Sequence, residues 1–410
     1  MALPAGALTT LAWRNLWRNH RRTIVMLLAI TVGTWAMIFM TSFFRGMVDE
    51  MVKDGIRTLP GHVQVHNPAY RDDPSIENSL PQPGPQFLAA LDSPEVVAMC
   101  SRLRVPAMIS SERDNRGVTL LGVDPQAEIA MGFDPGSVVQ GRFLESADDD
   151  GIVLGRKLVE RLDTGLGKRV VIMTQNPDNR IADRGFRVVG VFKAKLVSQE
   201  EQFVYAGRDT VQKLLGTPNL VSEIAVLGHD YRDVGPLLKL VRSAAPAGSE
   251  VLPWTELNTY LAMMLRLMDG FVLVWLIVVF MALSFGLVNT LMMAVFERVR
   301  EIGLMQALGM RPSAIVFLVL VESLLLLALG VALGNALAVA TILPLKGGID
   351  LSVVASGMEM MGAASVLYPS LKPGDLLLAD AVVLVLGLLT SLLPAWRAAR
   401  YRPVEAIAKT

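Results

Sequence analysis

The chain has 410 residues with 38 basic and 38 acidic side chains, 52% hydrophobic and 19% charged residues, and a mean hydropathy of +0.45. Soluble domains carry about 25% charge, so the balance leans towards a membrane protein, and a net charge of zero offers no basic face for nucleic acid, which is not expected as a partner. The single cysteine, Cys100, excludes an intrachain disulfide and any CxxC site, and His20, His62, His66 and His229 are too scattered for a zinc constellation.

An apolar stretch of about 20 residues crosses a hydrocarbon core roughly 30 Å thick as a helix. Residues 1–22 form a basic tail, and the first such stretch is 23–44, with no charge between Thr23 and Phe44. Its core is too long for a secretory signal and no small-x-small cleavage site precedes Arg45, so it reads as a retained anchor.

Residues 45–266 contain no spanning stretch and read as a large extracytoplasmic α+β domain between helices 1 and 2. Short apolar or alternating runs suggest strands at 62–66, 117–121, 151–154, 169–173, 186–192 and 223–227. Helical spacing appears at 156–162, 210–215 and 233–242, and the proline-rich stretch from Asn67 to Pro85 reads as an ordered loop. Asp148, Asp149 and Asp150 read as a solvated turn. His62 and His66 would lie about 13 Å apart on one strand face, too far to share a metal. No GxSxG elbow or HExxH pair is present, so catalysis here is not expected. Residues 254–267, with Trp254, Leu257, Tyr260, Leu261 and Met264 at helical spacing, are expected to run straight into the next span as a stalk.

The second span is 267–296, uncharged from Phe271 onward; the third is 313–343, with Glu322 as its one charge; the fourth is 376–394, with Asp380. Between them lie a short loop at 297–312 and a longer one at 344–375, and a tail follows at 395–410. The two termini and the 297–312 loop together hold eleven Lys and Arg against two in the 344–375 loop, which puts the termini in the cytoplasm. Glu322, costly inside a membrane, is a candidate for lining a substrate cavity, for pairing with a basic group on another helix, or for a purely structural hydrogen bond. Asp380 reads as an interfacial residue, and Gly330 with Gly334 forms a GxxxG step for close helix packing.

The 297–312 loop opens with Glu297, Arg298, Arg300 and Glu301, turns apolar at Ile302, Met305 and Leu308, and is punctuated by Gly309 and Pro312. This is the pattern of a small amphipathic helix lying at the membrane surface, either orienting the spans or passing on a push from a soluble partner. The run ERVREIGLMQALGM closely resembles the signature of the FtsX-like permease family, which includes the LolC/LolE and MacB types. The ending LLPAWRAARYRPVEAI, the opening LAWRNLWRNHRRT, and VLGRKLVERLDTGLGKRVVIM with FRVVGVF in the outer domain are similar to that family's C-terminus, amphipathic N-terminal helix and periplasmic core.

The resemblance implies an ABC-transporter permease subunit of the bacterial inner membrane that is not itself an enzyme. It would work as a dimer with a second copy or a paralogue. Glu297, Arg298, Arg300, Glu301, Ile302 and Gly303 would be the contacts to a cytoplasmic ABC ATPase. No GxxxxGK[ST] phosphate loop occurs, since Gly167-Lys168 is followed by Arg169, so ATP and Mg are expected on the partner ATPase and no cofactor on this chain. Extraction of lipoprotein or lipid-like cargo, with a periplasmic acceptor or adaptor and membrane lipids as further partners, is the favoured expectation. The alternative is MacB-type mechanotransmission to an exporter, or FtsX-type control of a cell-wall hydrolase.

Overall fold

The computed structural model describes residues 5–58, 60–350 and 366–400. Two compact units divide these residues, one built around the spans and one from the segment between spans one and two. Residues 351–365 of the long loop and 401–410 of the C-terminal tail, including the Pro-Val-Glu-Ala ending, lie outside the described residues.

In the membrane unit, a helix at Ala5–Arg18 is followed after one residue by the first spanning helix, His20–Thr58. The others are Thr259–Glu297, Pro312–Leu345 and Pro373–Ala399, giving, among the described residues, four helices long and apolar enough to cross a membrane. All are longer than their apolar stretches, because hydropathy marks the hydrocarbon and not the helix end. The GxxxG step packs span three on span one. A methyl at Gly330 would sit 2.4 Å from Cγ2 of Ile30, and one at Gly334 would sit 2.7 Å from Cβ of Thr34. Trp35 donates to Thr341 at 3.0 Å across the same seam. At the ends of the helices, Arg45 donates to Asp269 and to Asp375, both at 2.7 Å, tying spans one, two and four together.

The second unit is α+β. Its strands are β1 (Val63–His66), β2 (Leu80–Pro81), β3 (Ala98–Ser110), β4 (Asn115–Val123), β5 (Val138–Gly141), β6 (Gly151–Gly155), β7 (Arg169–Gln175), β8 (Ile181–Phe192), β9 (Phe203–Gly207), β10 (Leu220–Val221), β11 (Glu223–Leu227) and β12 (Glu250–Pro253). Ten of them join in one sheet in the order β12-β1-β11-β3-β4-β9-β6-β8-β5, with β7 bridging β3 and β8. The bridge closes a ring, β3-β4-β9-β6-β8-β7, around a core that includes Leu103, Ile109, Leu120, Ile152, Leu154, Ile172, Phe186 and Val204. The open part, β12-β1-β11-β3, has its own core, in which the helices Pro85–Leu91 and Gly235–Ala244 bury Phe87, Leu91, Leu237 and Val241.

Strand β3 belongs to both halves. Its start pairs with β11 and its end with β4 and β7. Two elements differ from the expectation. The stalk is interrupted: a short helix at Trp254–Leu257 ends at Asn258, whose φ of −121° and ψ of 78° break the helix. The Asn258 side chain then accepts from the Leu261 N–H at 3.1 Å and caps the helix that starts at Thr259. The Asn67–Pro85 stretch contains two 3-10 turns and β2.

Candidate functional site

The loop between spans two and three folds as expected in kind but not in facing. Span two ends at Glu297, Arg298 leaves helical geometry (φ −107°, ψ 10°), and a new helix runs from Val299 to Ala307. Its end is set by Gly309 at φ +91°, where an L side chain is strained. The Gly309 N–H donates to the Gln306 carbonyl and the Met310 N–H to the Met305 carbonyl, both at 3.0 Å, which closes a Schellman motif. Pro312 then occupies the first turn of span three, where its missing N–H costs nothing.

The helix presents two faces. Val299, Ile302 and Gly303 are buried, and Ile302 joins Val295, Ile315 and Ala398 in an apolar cluster. Arg298 also points inward. One of its nitrogens donates to both Glu322 oxygens at 3.1 Å and the other to the Asn15 carbonyl at 2.7 Å. The exposed side of the loop carries Arg300, Glu301 and Leu304 on the helix, flanked by Glu297 at the end of span two and Leu308 just past the helix. Leu304 is 55% and Leu308 80% exposed. Arg22 donates to Glu297 at 2.9 Å and Arg18 to Glu301 at 2.8 Å, whereas Arg300 is exposed and makes no ion pair among the described residues.

The structure divides the six expected contact residues between two faces. Glu297, Arg300 and Glu301 lie on the outward face. Arg298, Ile302 and Gly303 are turned into the protein. Leu308, which the sequence groups with Ile302 and Met305 as apolar, is exposed where Ile302 is buried. Leu304, Arg18, Arg22 and Asn15 are absent from the expected set. A seven-residue count from Glu297 through Leu304 marks the first of these; the other three are distant in sequence and carry no local signal.

Of the readings open for Glu322, the structure has it paired with a basic residue, which comes from the loop and not from a neighbouring span. Asp380 is not merely interfacial, since both its oxygens accept from Asn335 of span three at 2.9 Å.

In the outer domain the polar groups are committed to structure. Arg102 is fully buried on β3 and donates to both oxygens of Glu128 at 2.8 and 2.6 Å, with Glu223 a further 3.6 Å ion partner. Asp149 is not simply solvated. Burial pushes its carboxyl up, but Arg142 at 2.7 Å and the N–H groups of Glu145 and Gly151 outweigh that and hold it below the usual carboxylate range. Burial lowers His62 to about 4, and its Nδ1 accepts from the Gly228 N–H at 3.0 Å. His66 lies 3.3 Å from Glu250, and burial lowers its pKa as well.

A MacB-like periplasmic core domain model matches residues 23–243, and an FtsX-like permease C-terminal model matches residues 271–403. The chain is 22% identical over 405 residues to the lipoprotein-releasing system transmembrane protein LolC of Neisseria meningitidis serogroup B, a match that covers 94% of this chain and 93% of that one. It is 24% identical over 414 residues to the macrolide export ATP-binding/permease protein MacB of Escherichia coli O6:K15:H31, covering 98% of this chain but 60% of MacB. The crystal structure of the periplasmic region of MacB from Actinobacillus actinomycetemcomitans aligns with 48% of this chain and 90% of that one, at a TM-score of 0.35 and 15% identity. With one family model on each side of position 250 and four apolar helices to carry them, the chain belongs to the FtsX-like ABC-transporter permease family.

Proposed function

We propose that this permease receives the work of ATP hydrolysis through the outward face of its loop helix and passes it to the spans and the outer domain. ATP and Mg sit on a separate cytoplasmic ATPase subunit, and the permease acts as a dimer with a second copy or a paralogue. The observation that carries the reading is the exposed, mixed face of Glu297, Arg300, Glu301, Leu304 and Leu308. Two exposed leucines ringed by charges make a compact apolar anchor with a polar rim, which is the anatomy of a docking surface. The eleven-to-two bias in basic residues supports a cytoplasmic position for this face and for both termini in the inner membrane.

The proposed work is extraction of lipoprotein or lipid-like amphipathic cargo towards a periplasmic acceptor. The LolC relative supports this, because it matches nearly end to end. MacB-type mechanotransmission to an exporter is the second reading, favoured by the MacB-like model over residues 23–243. Both readings use the same docking face. Co-expression of the full chain with each ABC ATPase subunit of the source genome, keeping the one that co-purifies with the parent, tests that face: Leu304→Asp with Leu308→Asp should abolish co-purification while leaving the permease in the membrane at the parental level. Undiminished co-purification overturns the assignment.

A further inference from the structure

We infer that Arg298 and Glu322 form a clasp that makes the loop helix, the N-terminal helix and span three move as one body. The inference rests on the docking role proposed above, since it explains how a push on Leu304 and Leu308 reaches the spans. Arg298 stands where span two stops being helical, at φ −107° and ψ 10°, so the chain there is a natural hinge. From that hinge one guanidinium reaches two other elements. It straddles both carboxylate oxygens of Glu322 in span three at 3.1 Å and donates to the carbonyl of Asn15 in the helix Ala5–Arg18 at 2.7 Å. A planar guanidinium with donors fixed in one fork holds all three directions at once, which a lysine ammonium on a flexible stem does less strictly.

Burial separates this contact from its neighbours. The Arg298 and Glu322 side chains are 12% and 14% exposed. The Arg18–Glu301 pair between the N-terminal helix and the loop helix is 51% and 46% exposed, and surface pairs of that kind fix little. Arg22 is enclosed at 11%, but its partner Glu297 is 45% exposed. Beneath the clasp, Ala12 packs on Leu318, and Ile302 packs on Ile315. Both seams run along the same span three that carries Glu322, so one helix collects the motion. Arg298 and Glu322 are therefore positioning residues, and neither is presented to the ATPase.

The test uses the full chain in lipid nanodiscs without any ATPase. Nitroxide labels replace Leu308 and Leu333, both exposed, in a Cys100→Ser background. The sites lie about 30 Å apart along the helix axis, within range of pulsed dipolar spectroscopy. The parent is expected to give one narrow distance distribution, and Arg298→Lys to stay close to it. Arg298→Met with Glu322→Leu removes both charges together, which buried pairs tolerate well. It is expected to at least double the width of the distribution without lowering the melting temperature. A double variant as narrow as the parent overturns the clasp. Should that variant not accumulate, Arg298→Gln set against Arg298→Lys decides: a broadened Gln distribution supports the clasp, and equal widths overturn it. Because the ATPase is absent, this result and the co-purification result fail independently.

Discussion

Replacing Arg102 with Met should be the most damaging single change of those considered in the outer domain. Arg102 is fully enclosed and holds Glu128, 5% exposed, through two hydrogen bonds, with Glu223, 1% exposed, as a second acid. Removing one member of a buried pair costs about 3–5 kcal/mol, because the partner charge is left without compensation. Here Glu128 loses its cation, while Glu223 keeps Arg104 at 3.9 Å. Glu223 keeps a hydrogen bond from Gln64 at 2.9 Å, so the burden falls mainly on Glu128. For a unit of this size each kcal/mol moves the melting temperature by about 2–4 °C, so the expected loss is roughly 6–20 °C. The chain supplies its own reporter. Cys100 is its one cysteine, two residues from Arg102 on β3, 2% exposed, and burial pushes its thiol up to about 12. A thiol-reactive dye added to the full chain in detergent will therefore report the opening of this sheet during a thermal ramp. Arg102→Met with Glu128→Leu should recover most but not all of the loss, since Glu223 keeps Gln64 and the more distant Arg104 but loses the buried Arg102. A single variant that melts within about 2 °C of the parent refutes the reasoning.

The His62 imidazole titrates near 6.5 when unfolded but at about 4 when folded, so below pH 6.5 the unfolded chain binds the extra proton and stability falls as the pH drops. His62→Asn keeps an acceptor for the Gly228 N–H, and it should flatten the decline in melting temperature between pH 7.5 and 5.5 seen by circular dichroism; an unchanged slope contradicts this. Gly330→Leu forces atoms into Ile30 and should destabilise the spans by about 1–3 kcal/mol or more. Gly270→Leu, where nothing lies within 4 Å, should be close to neutral, and equal losses in detergent melts would deny the close approach of spans one and three.

The spans are legible in the sequence because about 20 uncharged residues in a row suit a helix crossing a lipid core and little else. Glu223–Leu227 is legible to the residue, since a short apolar run bounded by turns needs no distant partner to be recognised. The 13-residue β3 escapes notice for the opposite reason: Leu103, Val105 and Ile109 do alternate with Arg102, Arg104 and Pro106, but two arginines and a proline keep it from reading as an apolar run. The acids that neutralise Arg102 lie on a helix and a strand 26 and 121 positions further along. The Asn258 break carries a readable N-cap signal that hydrophobic spacing alone hides.

In the loop, an amphipathic helix is evident from residue spacing, but which residues it turns inward is not. That choice is made by Val295, Ile315, Glu322 and Ala398 from three spans. Arg298 resembles a partner contact because charged residues in a short surface loop usually face water. Its inward turn follows from one buried carboxylate on span three.

The central claim is that Leu304 and Leu308 meet the ATPase while Val299 and Ile302 do not. A photoreactive benzoylphenylalanine placed at each of the four positions in turn, in membranes holding the full chain and the ABC ATPase that co-purifies with it, measures this directly. Covalent adducts with the ATPase are expected from positions 304 and 308 and none from 299 and 302. Adducts from 302, or from neither leucine position, would contradict it.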